Sequence, residues 1–100
     1  MPTIGDILRI FRATKNISQK ELAENLNIST NFLSQLENNK KNISFSKIND
    51  IANYLGVSKD LLILTSSTPP PELNKKKQSE FIEMQQNLMN YILNSKWEQN

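Results

Sequence analysis

Five times in the N-terminal part of the chain, a Ser or Thr stands immediately before a short run whose apolar residues recur at helical spacing. Such a residue is a preferred N-cap, because its side-chain oxygen accepts one of the amides that a first helical turn leaves unpaired. Thr3 precedes Ile4, Leu8 and Phe11, and Asp6 completes a capping-box pattern. Ser18 precedes Leu22, Ala23 and Leu26, with Glu21 at the same offset. Ser29 precedes Phe32, Leu33 and Leu36, and Ser44 precedes Phe45, Ile48, Ile51, Ala52 and Leu55. Gly56 then stops the fourth run at a position suited to positive φ, and Ser58 opens a last turn through Leu61 and Leu62. No stretch alternates at period two. The pattern predicts an all-α fold, with five short helices over residues 1–65.

Composition narrows the chemistry. The 100 residues include no Cys and no His, which excludes thiolate and imidazole metal sites, Cys nucleophiles and Ser-His triads. Gly5 and Gly56 are the only glycines, so there is no Gly-rich phosphate loop. Neither an enzyme nor a cofactor is expected. No apolar run approaches the roughly 18 residues of a membrane span. Asp6 and Arg9 interrupt the opening segment, which does not read as a signal peptide, so a cytoplasmic protein without membrane partners is expected. The net charge is +2 with a pI near 9.0. Residues 1–65 hold 8 Lys/Arg against 6 Asp/Glu and residues 66–100 hold 4 against 4, so the excess lies in the N-terminal part. A weakly basic balance permits nucleic acid without requiring it.

The stretch Thr65–Pro71 (TSSTPPP) marks a boundary. Three consecutive prolines cannot lie inside a helix and favour a stiff polyproline II spacer, giving a linker over residues 66–71. Beyond it, residues 72–100 carry one long amphipathic pattern from Glu72 to Trp97. Its apolar arc is too wide for a solvated helix and has to be buried against something.

Residues Ile17–Lys40 (ISQKELAENLNISTNFLSQLENNK) carry Ser18-Gln19, Leu22-Ala23, Leu26–Ser29 and Leu33–Glu37 in a characteristic register, followed by Ile51-Ala52 and Leu55–Ser58. Over residues 4–64 the chain resembles the phage repressor/Cro (XRE-like) helix-turn-helix family. Ala23 is the small residue that two steeply crossing helices need. Asn16, Asn27 and Asn39 stand where that family usually has glycine, and Asn is the non-Gly residue best suited to left-handed geometry. The resemblance implies a sequence-specific regulator of transcription, most readily a repressor, whose third helix enters the DNA major groove. It assigns base reading to Thr30, Asn31, Ser34 and Gln35. Phosphate contact falls to Gln19, Asn38, Lys40 and Lys41. Arg12 and Glu37 match a family ion pair that sets the pose of the reading helix.

Two features depart from the family pattern. Ile43 replaces a common proline. Ile7 and Ile10 add a second apolar flank to the first helix, which calls for a cover. The C-terminal helix is the natural candidate, from the same chain or a partner. Because helix-turn-helix proteins pair on two-fold sites, homodimerisation or higher assembly through Phe81, Leu88 and Ile92 is expected. The layout also resembles small master repressors whose C-terminal helix an antagonist protein occupies. The rival reading is an antitoxin or anti-repressor module in which that helix grips a partner protein.

Overall fold

The computed structural model describes residues 3–94. Six α-helices follow one another: α1 (Ile4–Lys15), α2 (Gln19–Leu26), α3 (Thr30–Glu37), α4 (Phe45–Leu55), α5 (Lys59–Ser66) and α6 (Lys75–Asn94), with no strand among the described residues. All five expected caps form. The hydroxyls of Thr3, Ser18, Ser29, Ser44 and Ser58 accept from the amides of Asp6, Glu21, Phe32, Lys47 and Leu61, at 3.0–3.4 Å. At Thr3 the box is reciprocal, since its own amide donates to Asp6 Oδ2 at 3.1 Å.

The turns repeat one device. Asn16, Asn27, Asn39 and Gly56 have φ of 56°, 57°, 60° and 78°. After each, the next amide reaches five residues back: Ile17 to Arg12, Ile28 to Ala23, Lys40 to Gln35 and Val57 to Ala52, all at 2.8–3.0 Å. This is the Schellman arrangement, which satisfies carbonyls that the last helical turn leaves open. In three of the four motifs the residue after the turn is apolar, and Ile17, Ile28 and Val57 pack against the core. In the fourth, at the end of α3, it is the exposed Lys40.

Ile7, Leu8 and Phe11 of α1 meet Leu22, Ala23 and Leu26 of α2, Leu33 of α3, Ile51, Ala52 and Leu55 of α4, and Leu62 of α5 in one core. Phe45 is an exception. The helical pattern puts it on the buried face of α4, but it is 63% exposed, with the Lys59 ammonium 5.1 Å from its ring centre. It is the first residue of its helix and lies a full turn ahead of the nearest core position.

The boundary segment differs from the expected spacer. Thr65 and Ser66 extend α5, and the hydroxyls of Thr65, Ser66 and Ser67 bond back to the carbonyls of Leu61, Leu62 and Ile63. Hydroxyl side chains thus finish this helix where Asn or Gly finishes others. The prolines lead into a turn in which the Leu73 amide donates to Pro70 oxygen at 3.2 Å. Asn74 then caps α6 through the Lys77 amide, so the helix starts at Lys75 rather than Glu72. The expected continuation to Trp97 lies outside the described residues.

α6 folds back against α5 and α1. Met89 and Ile92 join the core cluster that contains Ile7, while Ile10 packs against it, so the extra apolar flank of α1 is covered from within the chain.

Candidate nucleic-acid interface

α3 offers a polar face held rigidly from behind. Leu33, Leu36 and Glu37 are buried, and Thr30, Asn31, Ser34 and Gln35 lie within an arc of about 140° on the other side. Thr30 and Asn31 are exposed, Ser34 and Gln35 half-buried. Thr, Asn, Ser and Gln side chains both donate and accept hydrogen bonds, which is the chemistry base edges require. The Ser29 cap leaves Thr30 and Asn31 at the very start of the helix.

Glu37 anchors this helix from its buried side. It is 4% exposed, and its carboxylate accepts from Arg12 Nε and Nη2, both at 2.9 Å. The Arg12 guanidinium also donates to the Ile17 carbonyl. Hydrogen bonding to Glu37 outweighs partial desolvation and raises the Arg12 pKa above its ordinary value. A bidentate guanidinium–carboxylate pair fixes orientation as well as distance, so α1 sets the rotation of α3.

Gln19, expected at a phosphate, donates its side-chain amide to Glu37 Oε1 at 3.1 Å. Its side chain therefore serves as the third support of the anchor. Sequence spacing carries no sign of this, because the two residues are brought together only by the packing of α2 on α3.

A second junction fixes the far end of α3. A Cβ placed on Gly5 would lie 1.9 Å from the Leu36 carbonyl oxygen, so α1 approaches α3 more closely than any side chain permits. Beside it, Thr3 Oγ1 donates to Asn39 Oδ1 and Asn39 Nδ2 to Asp6 Oδ1, at 2.6 and 3.2 Å. Partial burial opposes ionisation of Asp6, but bonds from the Thr3 amide, Asn39 and Arg9 together lower its pKa below the usual value. Asn39 thus makes the turn and also ties it to α1. Neither the role of Gly5 nor this second role of Asn39 is legible in the sequence.

Asn38, Lys40 and Lys41 are exposed beyond the end of α3. The turn at Asn39 delivers the two lysines directly after the helix, on a loop braced against α1. Of the three residues expected at an oligomer interface, Phe81 and Leu88 are half-buried, whereas Ile92 is 0% exposed. Ile92 fills the core of its own domain, because the fold-back of α6 points it towards α1 and α5. α6 is anchored by Gln85, also 0% exposed, whose Nε2 donates to the carbonyls of Leu64 and Ser67 at 3.1 and 2.5 Å.

Among the described residues no group of His, Cys, Asp or Glu is placed to hold a metal ion, and no helix is long and apolar enough to cross a membrane.

Comparison with known proteins agrees with this geometry. Residues 8–62 match the helix-turn-helix family. A protein named as a hypothetical transcription factor from Neisseria meningitidis serogroup B is 37% identical over 65 residues, covering 65% of this chain and 58% of its own length. The immunity repressor protein of Bacillus phage phi105 is 28% identical over 61 residues, or 61% of this chain and 42% of the relative. The chain therefore spans about half the length of these relatives. No solved structure matches it at a significant level. With the match extending from α1 to α5 over more than half of its residues, the chain belongs to the helix-turn-helix family, of the repressor/Cro (XRE-like) kind.

Proposed function

We propose that this protein is a sequence-specific DNA-binding regulator of transcription, acting as a dimeric repressor that reads the major groove of a two-fold operator. The observation that carries the reading is the outward face of α3. Thr30, Asn31, Ser34 and Gln35 are presented together, while Glu37, on the same helix, is locked to Arg12 and Gln19. A reading helix has to hold its pose before it meets DNA, since base-edge hydrogen bonds reward only aligned partners. Lys40 and Lys41 supply positive charge at the end of that helix, and contact with phosphate would set its register without reading sequence. The exposed Lys40 at a turn position that is apolar in the other motifs supports that role.

Both relatives carry names of the same functional kind, a transcription factor and an immunity repressor. Pairing on a two-fold site would double the readout, and α6 is the element best placed to provide it.

Selection of bound sequences from a random DNA pool at defined salt tests the proposal. A single preferred, two-fold-symmetric site is expected. Gln35→Ala should relax preference at one or two base pairs, costing about 1–3 kcal/mol at the selected site, with non-specific binding nearly unchanged. Lys40→Ala and Lys41→Ala should instead weaken all sequences alike. Each should flatten the slope of log affinity against log salt by about 1, the share of one neutralised phosphate. Recovery of no preferred sequence would overturn the reading.

A further inference from the structure

α1 is gripped on opposite faces. At about 100° per residue, Gly5 and Arg12 point within about 20° of each other, and through these two positions α1 holds α3. Gly5 lies against the Leu36 carbonyl, and Arg12 pairs with Glu37. Ile7 and Ile10 lie about 60° apart, and their common direction is about 180° from that of Gly5 and Arg12. On this outer flank, which departs from the family pattern, α1 receives α6. Met89 and Ile92 lie in the core cluster that contains Ile7 and against which Ile10 packs.

The two grips differ in slack. On the inner side there is none, since the contact at Gly5 leaves no room for a methyl group and the guanidinium–carboxylate pair fixes orientation. Any shift of α1 therefore carries α3 with it. On the outer side, apolar packing does the holding, and Gln85 ties α6 to the end of α5 through the carbonyls of Leu64 and Ser67. α6 thus spans from the last helix of the first domain to the outer face of its first helix. Gln85, Met89 and Ile92 all lie beyond the family match, which ends at residue 62.

We infer that α6 positions the reading helix. Met89 and Ile92, acting through Ile7 and Ile10 of α1, hold the pose in which Thr30, Asn31, Ser34 and Gln35 meet base edges. The inference rests on the DNA-reading proposal above and deepens it, because sequence discrimination then depends on a helix outside the helix-turn-helix unit.

Such coupling is reciprocal: if docking of α6 improves reading, reading has to tighten the docking of α6 by the same factor. Hydrogen exchange of the unmodified full chain tests this on a duplex carrying half of the selected site. One copy binds such a duplex, so pairing of copies plays no part. Amides of α6 around Gln85–Ile92 should exchange about fivefold or more slowly with the half-site than with a scrambled duplex, both at saturation, which is the lower end of ordinary coupling between sites. Unchanged exchange in α6, with Thr30–Glu37 protected by the half-site, would overturn the inference and leave the DNA reading intact. Equal slowing by the scrambled duplex would overturn it too, because docking would then answer to charge and not to reading. Failure to select any preferred sequence would overturn both. Met89→Ala, which trims the α6 side of the contact, supplies the converse. The ratio of half-site to scrambled-duplex affinity should fall by about fivefold or more. A folded Met89→Ala protein with a lower melting temperature and an unaltered ratio would show a merely structural role and overturn the inference.

Discussion

α3 and α6 are each tied to the body of the protein by a buried polar side chain, and the two anchors differ in how completely they are satisfied. At α3, Glu37 accepts two bonds from Arg12 and one from Gln19, so its charge is both neutralised and hydrogen-bonded. At α6, Gln85 donates twice to carbonyls at the end of α5, but its own oxygen is buried without a partner. Both of its neighbours are carbonyl oxygens, so the amide nitrogen has to face them and the oxygen is left over. A buried acceptor without a partner costs about 1–3 kcal/mol, which offsets much of what the two bonds contribute. The helix that presents the candidate reading face is therefore rigidly posed. α6, by contrast, is held chiefly by the apolar packing of Met89 and Ile92.

Mutations can widen or erase this difference. The largest effect is expected from Arg12→Ala, which leaves the Glu37 carboxylate buried beside Gln19 alone. Breaking such a pair on one side costs about 3–5 kcal/mol, and partial exposure of Arg12 places the value near the lower end. Urea unfolding should show it as a large fall in the midpoint. A loss below about 1 kcal/mol would mean that the α3 anchor is no firmer than the α6 anchor.

Gly5→Ala should come next. The added methyl meets the backbone of α3 rather than a flexible side chain, so α1 and α3 have to separate, at a cost of about 1–3 kcal/mol. Because the displaced element carries Thr30–Glu37, affinity for a selected DNA site should fall by more than non-specific binding does. Equal losses for both would show that the close approach of α1 to α3 supports stability without setting the pose.

Gln85→Met should have the smallest effect. It removes the unpaired oxygen but also the donor to two carbonyls, of which Leu64 keeps the Ser67 amide at 3.3 Å, and a net loss of up to about 1.5 kcal/mol is expected. Calorimetric melting of the full chain is the measurement. A loss as large as that of Arg12→Ala would show that Gln85 holds α6 as firmly as Glu37 holds α3.

What could be read without the structure was local. Each cap needs only a hydroxyl and an amide three residues away, and each turn needs only a residue that tolerates positive φ. Thr3, Ser18, Ser29, Ser44 and Ser58, with Asn16, Asn27, Asn39 and Gly56, therefore marked out the helices of the first domain, and the register of Ser18–Glu37 identified the family. The Arg12–Glu37 pair came from that register, since nothing in a separation of 25 residues predicts it. The tertiary structure alone decided which groups meet across helices. It placed Gln19 on Glu37, pressed Gly5 against the Leu36 carbonyl, left Phe45 in solvent, and turned Ile92 inward where the helical pattern allowed either direction. Helical periodicity specifies that a face is apolar. Which apolar face of α6 is covered by its own chain depends on where α1 and α5 stand, and that is a property of the packed domain.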